Sequence, residues 1–440
     1  MRCDWLNYRA VCEKTFNRLA VSNPLSVLHV NAMDNSGGSG RAAYRTHLGL
    51  RQLGVRSRML VGWKVMHDDH AIGFIGDHRL WMADRLCDRI WEPLSLQYLF
   101  YPSSFSLRWR HWYREADVVQ LYNTHGGYFS HTVLPALSRR RPVVWRLSDM
   151  WPMTGHCAYS FDCERWKTGC GRCPILADYP ALRHDRTALL WRIKQRVYRH
   201  ADLTIVAPSR WLAGLVRQSP LLSRFPVHVI PNGLDTQVFR PIEKGAARKV
   251  LGMEPGTPAV LFGAHFATDR RKGAELFRQA LSRLTEARRA KFELLIMGRE
   301  SERWTAPAGV SLRRLGPIRD ERLLATVYAA ADLFVLPTLA DNLPNGMIES
   351  MACGTPVVAF EIGGVPEAVR HMDTGYLARY KDVEDFSRGV ALLLDDADLR
   401  QKMGRRCREV VEHDYSFQLT ARRFLDLYRE LIARRRSAAQ

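Results

Sequence analysis

The chain has 440 residues, 46% hydrophobic and 25% charged, the balance of a globular protein with room for two domains. Lys and Arg number 65 against 45 Asp and Glu, a formal charge of +20 that suits an anionic membrane surface, a phosphate-rich ligand or nucleic acid, although an arginine-favouring genome would give the same excess. No apolar run reaches the ~18 residues of a spanning helix, and the opening MRCDWLNYRAVCEK lacks the apolar core of a secretory signal; the expected location is cytoplasmic, with peripheral contact to the inner face of the cytoplasmic membrane kept open.

Residues 1–24 show no periodic pattern and read as an arm. SVLHV (Ser26–Val30) reads as a strand, followed by the loop MDNSGGSG with Gly37 and Gly38, an amphipathic helix from Arg41 to about Leu53, and a strand over Val55–Gly62. Strand, glycine loop, helix, strand opens a doubly wound α/β domain. Glycines there let backbone approach a ligand, although many such loops are merely tight. Arg89–Tyr113 mixes aromatic rings with arginine. That mixture fits a membrane interface, but helices packed on the sheet are the favoured reading. DVVQLY ends at Asn123-Thr124-His125-Gly126-Gly127, and PVVWRL ends at Ser148-Asp149. Active sites of open parallel sheets lie at such strand ends, so His125, Ser148 and Asp149 are candidates, against the alternative that they only shape loops.

Four of the nine cysteines follow closely: Cys157, Cys163, Cys170 and Cys173. In a cytosolic protein such a cluster points to metal rather than disulfides. The CGRC knuckle can place two thiolates on one ion, and the other pair, spaced more loosely, completes a tetrahedral set. Structural Zn2+ is expected; Fe–S ligation and metal-free thiols are the alternatives.

ADLTIVAP reads as a further strand with Ser209 capping the next helix, and the turn cluster after Pro231 marks a domain boundary. AVLFG at 259–263 starts a second round: a basic loop to Lys272-Gly273, a helix from Ala274, FELLIM, a helix over Glu321–Ala331 and the strand DLFVLP. Then comes DNLPNGMIESMACGTPVVAFEIGGVPE. Its polar loop passes into a helix at Met347–Cys353, stopped by Gly354 and Pro356, before a strand at Val357–Phe360. A helix start after a strand favours phosphate through its free N–H groups and partial positive charge. Asp341 in the loop and Glu349 on the helix can both face a polyhydroxylated ligand. Two helices close the chain, the last over Phe417–Arg436.

Over about 25–430 the chain resembles a retaining glycosyltransferase of the GT-B type, in the large family 4 that includes bacterial exopolysaccharide and lipopolysaccharide transferases. The resemblance is carried by Asp341 and Glu349 with seven residues between them, by MACGTPVVA at 351–359 and by the GGxPE run at 363–367. The Gly37-Gly38 loop, IPNGLD at 230–235 and Arg271-Lys272-Gly273 add to it, and 149–175 with its four cysteines is similar to a subset associated with polysaccharide assembly. The resemblance implies two Rossmann-like domains facing across a cleft: an acceptor domain at 25–231 and a nucleotide-sugar domain at 232–416, with 417–440 crossing back as a helix onto the first. It implies a nucleotide-sugar donor and a saccharide or polyprenyl-pyrophosphate-linked acceptor, with no nucleic acid and no catalytic cofactor. Lys272, with Arg271, would neutralise the diphosphate, Glu349 would bind ribose, Asp341 the sugar, the amides of Asn345 and Gly346 the phosphates, and Gly37 and Gly38 would close from the other domain. Three positions depart from the family pattern: Asp341 stands for the usual Glu, Ala264 for a common Arg that Arg270 or Arg271 could replace, and Ser148 for a frequent His that His125 or His156 could supply. These departures motivate an alternative, a weak or inactive sugar-nucleotide-binding partner of an assembly complex. Removing Lys272 or Glu349 is expected to abolish transfer with little change in stability.

Overall fold

The computed structural model describes residues 24–287 and 292–438; the arm assigned to 1–24 lies, but for its last residue, outside them. The first sheet comprises β1 (Ser26–Met33), β2 (Arg56–Trp63), β3 (Ile72–Phe74), β4 (Val118–Leu121), β5 (Val143–Arg146), β6 (Thr204–Ala207) and β7 (Val227–Val229). Its strands pair in parallel in the order β3-β2-β1-β4-β5-β6-β7. The second comprises β8 (Ala259–Phe266), β9 (Glu293–Arg299), β10 (Ser311–Gly316), β11 (Leu333–Leu336), β12 (Val357–Phe360) and β13 (Gly375–Ala378). It is also parallel, in the order β10-β9-β8-β11-β12-β13. Each order reverses beside the sheet's first strand, and the crevice for a ligand opens at that reversal.

The strands are continuous apolar runs because helices cover both faces. Alternate residues divide between two cores: Leu261, Leu295, Phe334 and Val357 fall on one side of the second sheet, Val260, Leu294, Val335 and Val358 on the other. Two strands with no signal in the sequence are the edges β3 and β10. IGF is only three residues long, and SLRRLG is partly exposed and carries two arginines, so neither shows an apolar run.

Three helices, not two, close the chain: Val383–Asp395, Ala397–Asp414 and Phe417–Ser437. Asp396 ends the first and caps the second by accepting from Leu399 N, a break made without Gly or Pro. The two passages between domains run side by side, with Leu234 N donating to Tyr415 O (3.0 Å) and Phe417 N to Leu234 O (2.9 Å). The last helix then lies on the first sheet. Its Ala421, Phe424, Leu425 and Tyr428, at helical spacing, share a buried cluster with Val27, Val118, Val144 and Val206.

Candidate active site

The loop after β11 carries Asp341, and its carboxylate meets two cations from the loop after β8. Lys272 Nζ donates to Oδ2, and Arg271 Nη1 lies 3.2 Å from the same oxygen. Burial works against the carboxylate's charge, but Lys272 and then Arg271 outweigh it and hold Asp341 below the ordinary aspartate range. Burial, and then Arg271, draws the Lys272 ammonium down. Two cations thus face one buried carboxylate, with Asp269 also 3.6 Å from Arg271, and a diphosphate would compete with these carboxylates for them. Arg270 is exposed and stands apart, so of the two arginines it is Arg271 that reaches the site.

Backbone geometry explains the glycines around this cluster. Gly273 has φ 72°, and a Cβ there would come within 1.8 Å of Pro337 O, so only glycine lets the Lys272 turn lie under the β11 loop. At Gly363 and Gly364 a Cβ would stand 1.9 Å from Asp341 O and Asn342 O respectively. The loop after β12 therefore rests directly on the Asp341 loop. Three residues on, the Glu367 carboxylate accepts from Arg210 N and Trp211 N, both at 2.9 Å. It caps the helix Arg210–Gln218 of the other domain, alongside Ser209, which accepts from Leu212 N.

Glu349 sits on the helix Asn345–Ala352 and is 1% exposed. One carboxylate oxygen accepts from Arg45 Nη2 at 2.8 Å and the other from Tyr328 Oη at 3.2 Å. Arg45 also lies 2.7 Å from Glu321 and stacks on Phe239. It belongs to the helix Gly37–Gln52, so this pairing crosses between domains. The carboxylate expected to bind ribose is therefore already engaged by protein partners. Arg45 was missed because nothing in its local spacing distinguishes it.

A polar chain joins the two domains on the cleft side. Asn345 Nδ2 donates to Gly38 O (3.0 Å), Asn232 Nδ2 to Asn345 Oδ1 (2.9 Å), and Arg146 to Asn232 Oδ1. Arg146 also reaches Ser148 Oγ (3.4 Å), which donates to Ser39 Oγ (2.9 Å). Gly38, Asn345 and Ser148 are thus brought together, with Asn232 of the IPNGLD motif, which had been given no role, and Arg146, which no motif marked. Burial draws the Arg146 guanidinium down to about 10. Beside Gly37 the space where a Cβ would stand is open, whereas Gly346 packs on Tyr328, 3.0 Å from its hydroxyl to a Cβ.

His125, in the loop after β4, places Nε2 2.8 Å from Asp149 Oδ2, after β5. A carboxylate only accepts, so Nε2 carries the proton and Nδ1 turns its lone pair toward Tyr179 Oη, 3.2 Å away. Asp149 is held by Trp151 N, which donates to Oδ1 (2.9 Å). Trp151 and the exposed Tyr179 flank the imidazole at ring-centre distances of 5.5 and 5.4 Å. His156 is elsewhere: Nδ1 lies 2.8 Å from Pro180 O and Nε2 3.2 Å from Cys173 Sγ. Of the two candidate imidazoles, only His125 reaches Asp149. Tyr159, also unanticipated, links the halves. Arg271 stacks 4.9 Å from its ring, and its phenol is pushed up by burial and then by Asp341, with Asp149 adding. It was overlooked as part of a presumed metal loop.

The four thiols are free and line one small cavity together with His156. Cys170 and Arg172 have positive φ, which shapes the knuckle, and Gly155 N points to Cys170 Sγ at 3.2 Å. Among the described residues, no three His, Cys, Asp or Glu side chains stand together as a metal cage. The donor chemistry suits a thiophilic ion, while the side chains as placed are not drawn onto one point.

Two parallel-sheet α/β domains with this site between them form the GT-B fold of glycosyltransferases. Sucrose-phosphate synthase from Thermosynechococcus elongatus superposes with a TM-score of 0.67 at 18% identity, covering 93% of this chain and 99% of that one. Anabaena HepE in complex with UDP-glucose gives 0.63 at 14%, covering 92% and 100%. The family described as Glycosyltransferase Family 4 matches residues 36–238, and that described as Glycosyl transferases group 1 matches 257–396. The first domain thus matches the one glycosyltransferase model and the second domain the other. The D-inositol 3-phosphate glycosyltransferase of Segniliparus rotundus is 33% identical over 239 residues, 51% of each chain. The putative colanic acid biosynthesis glycosyl transferase WcaC of Escherichia coli is 30% identical over 227 residues, 49% of this chain and 51% of its own. The chain spans about half the length of the curated relatives it matches.

Proposed function

We propose that the protein is a retaining glycosyltransferase that moves a sugar from a nucleotide-sugar to a saccharide or lipid-linked saccharide acceptor in cell-surface polysaccharide synthesis. The observation that carries this reading is the cation pair Arg271–Lys272 around Asp341, set across the cleft from the His125–Asp149 pair. Lys272, Arg271 and the start of the helix at Asn345 take the diphosphate, and Asp341 and His125 Nδ1 hold sugar hydroxyls. The bond from the anomeric carbon to the diphosphate oxygen breaks, and its electron pair leaves on the phosphate. The acceptor oxygen attacks from the same face, and its proton passes to that phosphate oxygen. Configuration is kept without a carboxylate nucleophile, and the fixed cations stabilise the leaving charge without a catalytic metal. UDP-glucose in the HepE complex and the colanic acid assignment of WcaC support the donor class and the pathway class.

The test screens GDP, UDP, ADP and their sugars for thermal stabilisation, then assays transfer with the stabilising donor in EDTA, reading the product's anomeric configuration by NMR. A bound nucleotide raises the midpoint by mass action. Inverted product, or activity lost to EDTA, contradicts the mechanism. Stabilisation without transfer to any acceptor supports the second reading, a sugar-nucleotide-binding partner, which the pairing of Glu349 with Arg45 favours.

The cysteine cavity we assign to structural Zn2+. Support comes from the four free thiols on one cavity and the backbone N–H aimed at Cys170 Sγ; bound zinc would tie the 149–175 segment together, with no part in the transfer step. Elemental analysis of the purified chain should give one zinc per chain, falling in a Cys170→Ser, Cys173→Ser variant. Less than half an equivalent in the wild type sinks the assignment.

A further inference from the structure

The helix His78–Trp91 was not anticipated as an element, and the packed reading favoured for the aromatic–arginine stretch that begins near its end holds for only one side. Its inner face turns Asp84 and Asp88 to the domain: Asp84 accepts from Ser103 N (3.1 Å) and Asp88 from Tyr101 Oη. Its outer face does the opposite. Met82, Leu86 and Ile90, spaced one turn apart, are 54%, 58% and 49% exposed, and Trp81 is 48% exposed. Arg85 and Arg89 follow Trp81 at the same spacing, with Arg79 before it, all exposed. Leu94 and Phe100 lie exposed in the chain that follows. Among the described residues nothing covers this face, and no helix is long and apolar enough to cross a membrane.

We propose that this face docks on an anionic lipid bilayer. A helix with an apolar stripe edged by arginines lies flat at the headgroup boundary, stripe down, cations on phosphates. The acidic residues of the helix itself do not spoil the match, because Asp84 and Asp88 are engaged on the inner side, Asp88 also lying 3.7 Å from Arg85; Asp77 and Glu92, at the two ends, are the exposed acids that flank it. Docking here also has a place in the site. A Cβ at Gly127 would stand 3.4 Å from Asp88 Oδ2, and Gly127 is two residues from His125. The inner face of the helix thus buttresses the loop that carries the imidazole, so docking sets the acceptor side of the cleft at the bilayer surface. An acceptor with a lipid tail could present its sugar there without leaving the membrane. The docking face stands independently of the transfer reading, since vesicle binding needs no donor.

The test is sedimentation of the full chain with phosphatidylglycerol–phosphatidylcholine vesicles and with pure phosphatidylcholine vesicles. Binding is expected to the anionic vesicles and to fall with salt. Leu86→Asp, Ile90→Asp should weaken it at least ~10-fold with an unchanged melting midpoint, and Arg85→Glu, Arg89→Glu should do the same. Arg434→Glu, Arg436→Glu, charge reversals on the exposed end of the last helix, should leave binding within about twofold, since charges outside the contact are screened. Equal loss in that control, or undiminished binding in the two face variants, overturns the proposal in favour of diffuse charge attraction. A wild-type dimer in sedimentation velocity that becomes a monomer in Leu86→Asp, Ile90→Asp overturns it in favour of an interface between copies.

Discussion

Lys272→Ala is expected to lower the rate of transfer ~10³-fold, because removing one preorganised donor from a developing anion costs that order. The side chain is the inner of two cations on Asp341, and the Gly273 turn holds its backbone against the β11 loop. Without it, Arg271 stays committed to Asp341 and to Ala340 O, 2.9 Å away. The departing diphosphate would then lose one of the two cations that can turn to it. Asp341 keeps one partner, so stability should fall only modestly. The kinetic signature is a fall in kcat together with loss of thermal stabilisation by nucleoside diphosphate. Turnover within an order of magnitude of wild type would remove Lys272 from the mechanism.

Glu349 behaves differently, and here the structure corrects an expectation from sequence. An unpaired ribose ligand on the helix could be deleted at little structural cost. A carboxylate that is 1% exposed and paired with buried Arg45 cannot. Glu349→Ala leaves Arg45 with Glu321 alone, and breaking a buried pair costs about 3–5 kcal/mol. Loss of activity in that variant therefore confounds binding with folding, whereas Glu349→Gln keeps the shape and a hydrogen-bond acceptor for Arg45.

What could be read from the sequence follows what is local. The strand at Val357–Phe360 has the same ends in sequence and structure, since a four-residue apolar run after Pro356 and before Glu361 leaves little choice. The turn at Lys272 and the loop at Asp341 are local too, and motif spacing named both partners of their ion pair. Arg45 and Glu349 lie 304 positions apart, so their meeting depends on how the domains face each other. The edge strand at Ser311–Gly316 gave no signal because a half-exposed edge needs no apolar run. The outer face of His78–Trp91, a helix without a sequence reading, was out of reach for a related reason: amphipathic spacing shows that a helix has an apolar side, and only the fold shows whether anything lies against it. For the imidazole, two histidines stood near Asp149 in sequence, and the fold divided them. His156 went to Cys173 and the Pro180 carbonyl, and His125 to the carboxylate.

That division makes Asp149→Asn the sharpest test of the acceptor half. Asparagine has nearly the same shape, so the loop held by Trp151 N should survive and the melting midpoint should barely move. The change is in the proton. Aspartate can only accept, which keeps hydrogen on Nε2 and a lone pair on Nδ1; an asparagine amide can donate to Nε2 and drive the hydrogen to Nδ1. Tyr179 Oη, or a sugar hydroxyl that displaced it from Nδ1, would then face a donor. The loss expected is ~10²–10³-fold in kcat, the order seen when a reacting group is misplaced with its hydrogen bond. Donor affinity should change little, because the diphosphate cluster at Arg271 and Lys272 belongs to the other domain. His125→Ala should match Asp149→Asn in kcat, and the double variant should be little worse than either, since the two act as one unit. Independent losses that multiply in the double variant would separate Asp149 from His125 and return the imidazole to a structural role. A normal kcat in Asp149→Asn would do the same for the carboxylate, leaving Ser148, joined to Ser39 and Arg146, as the remaining side chain at the end of β5 to test.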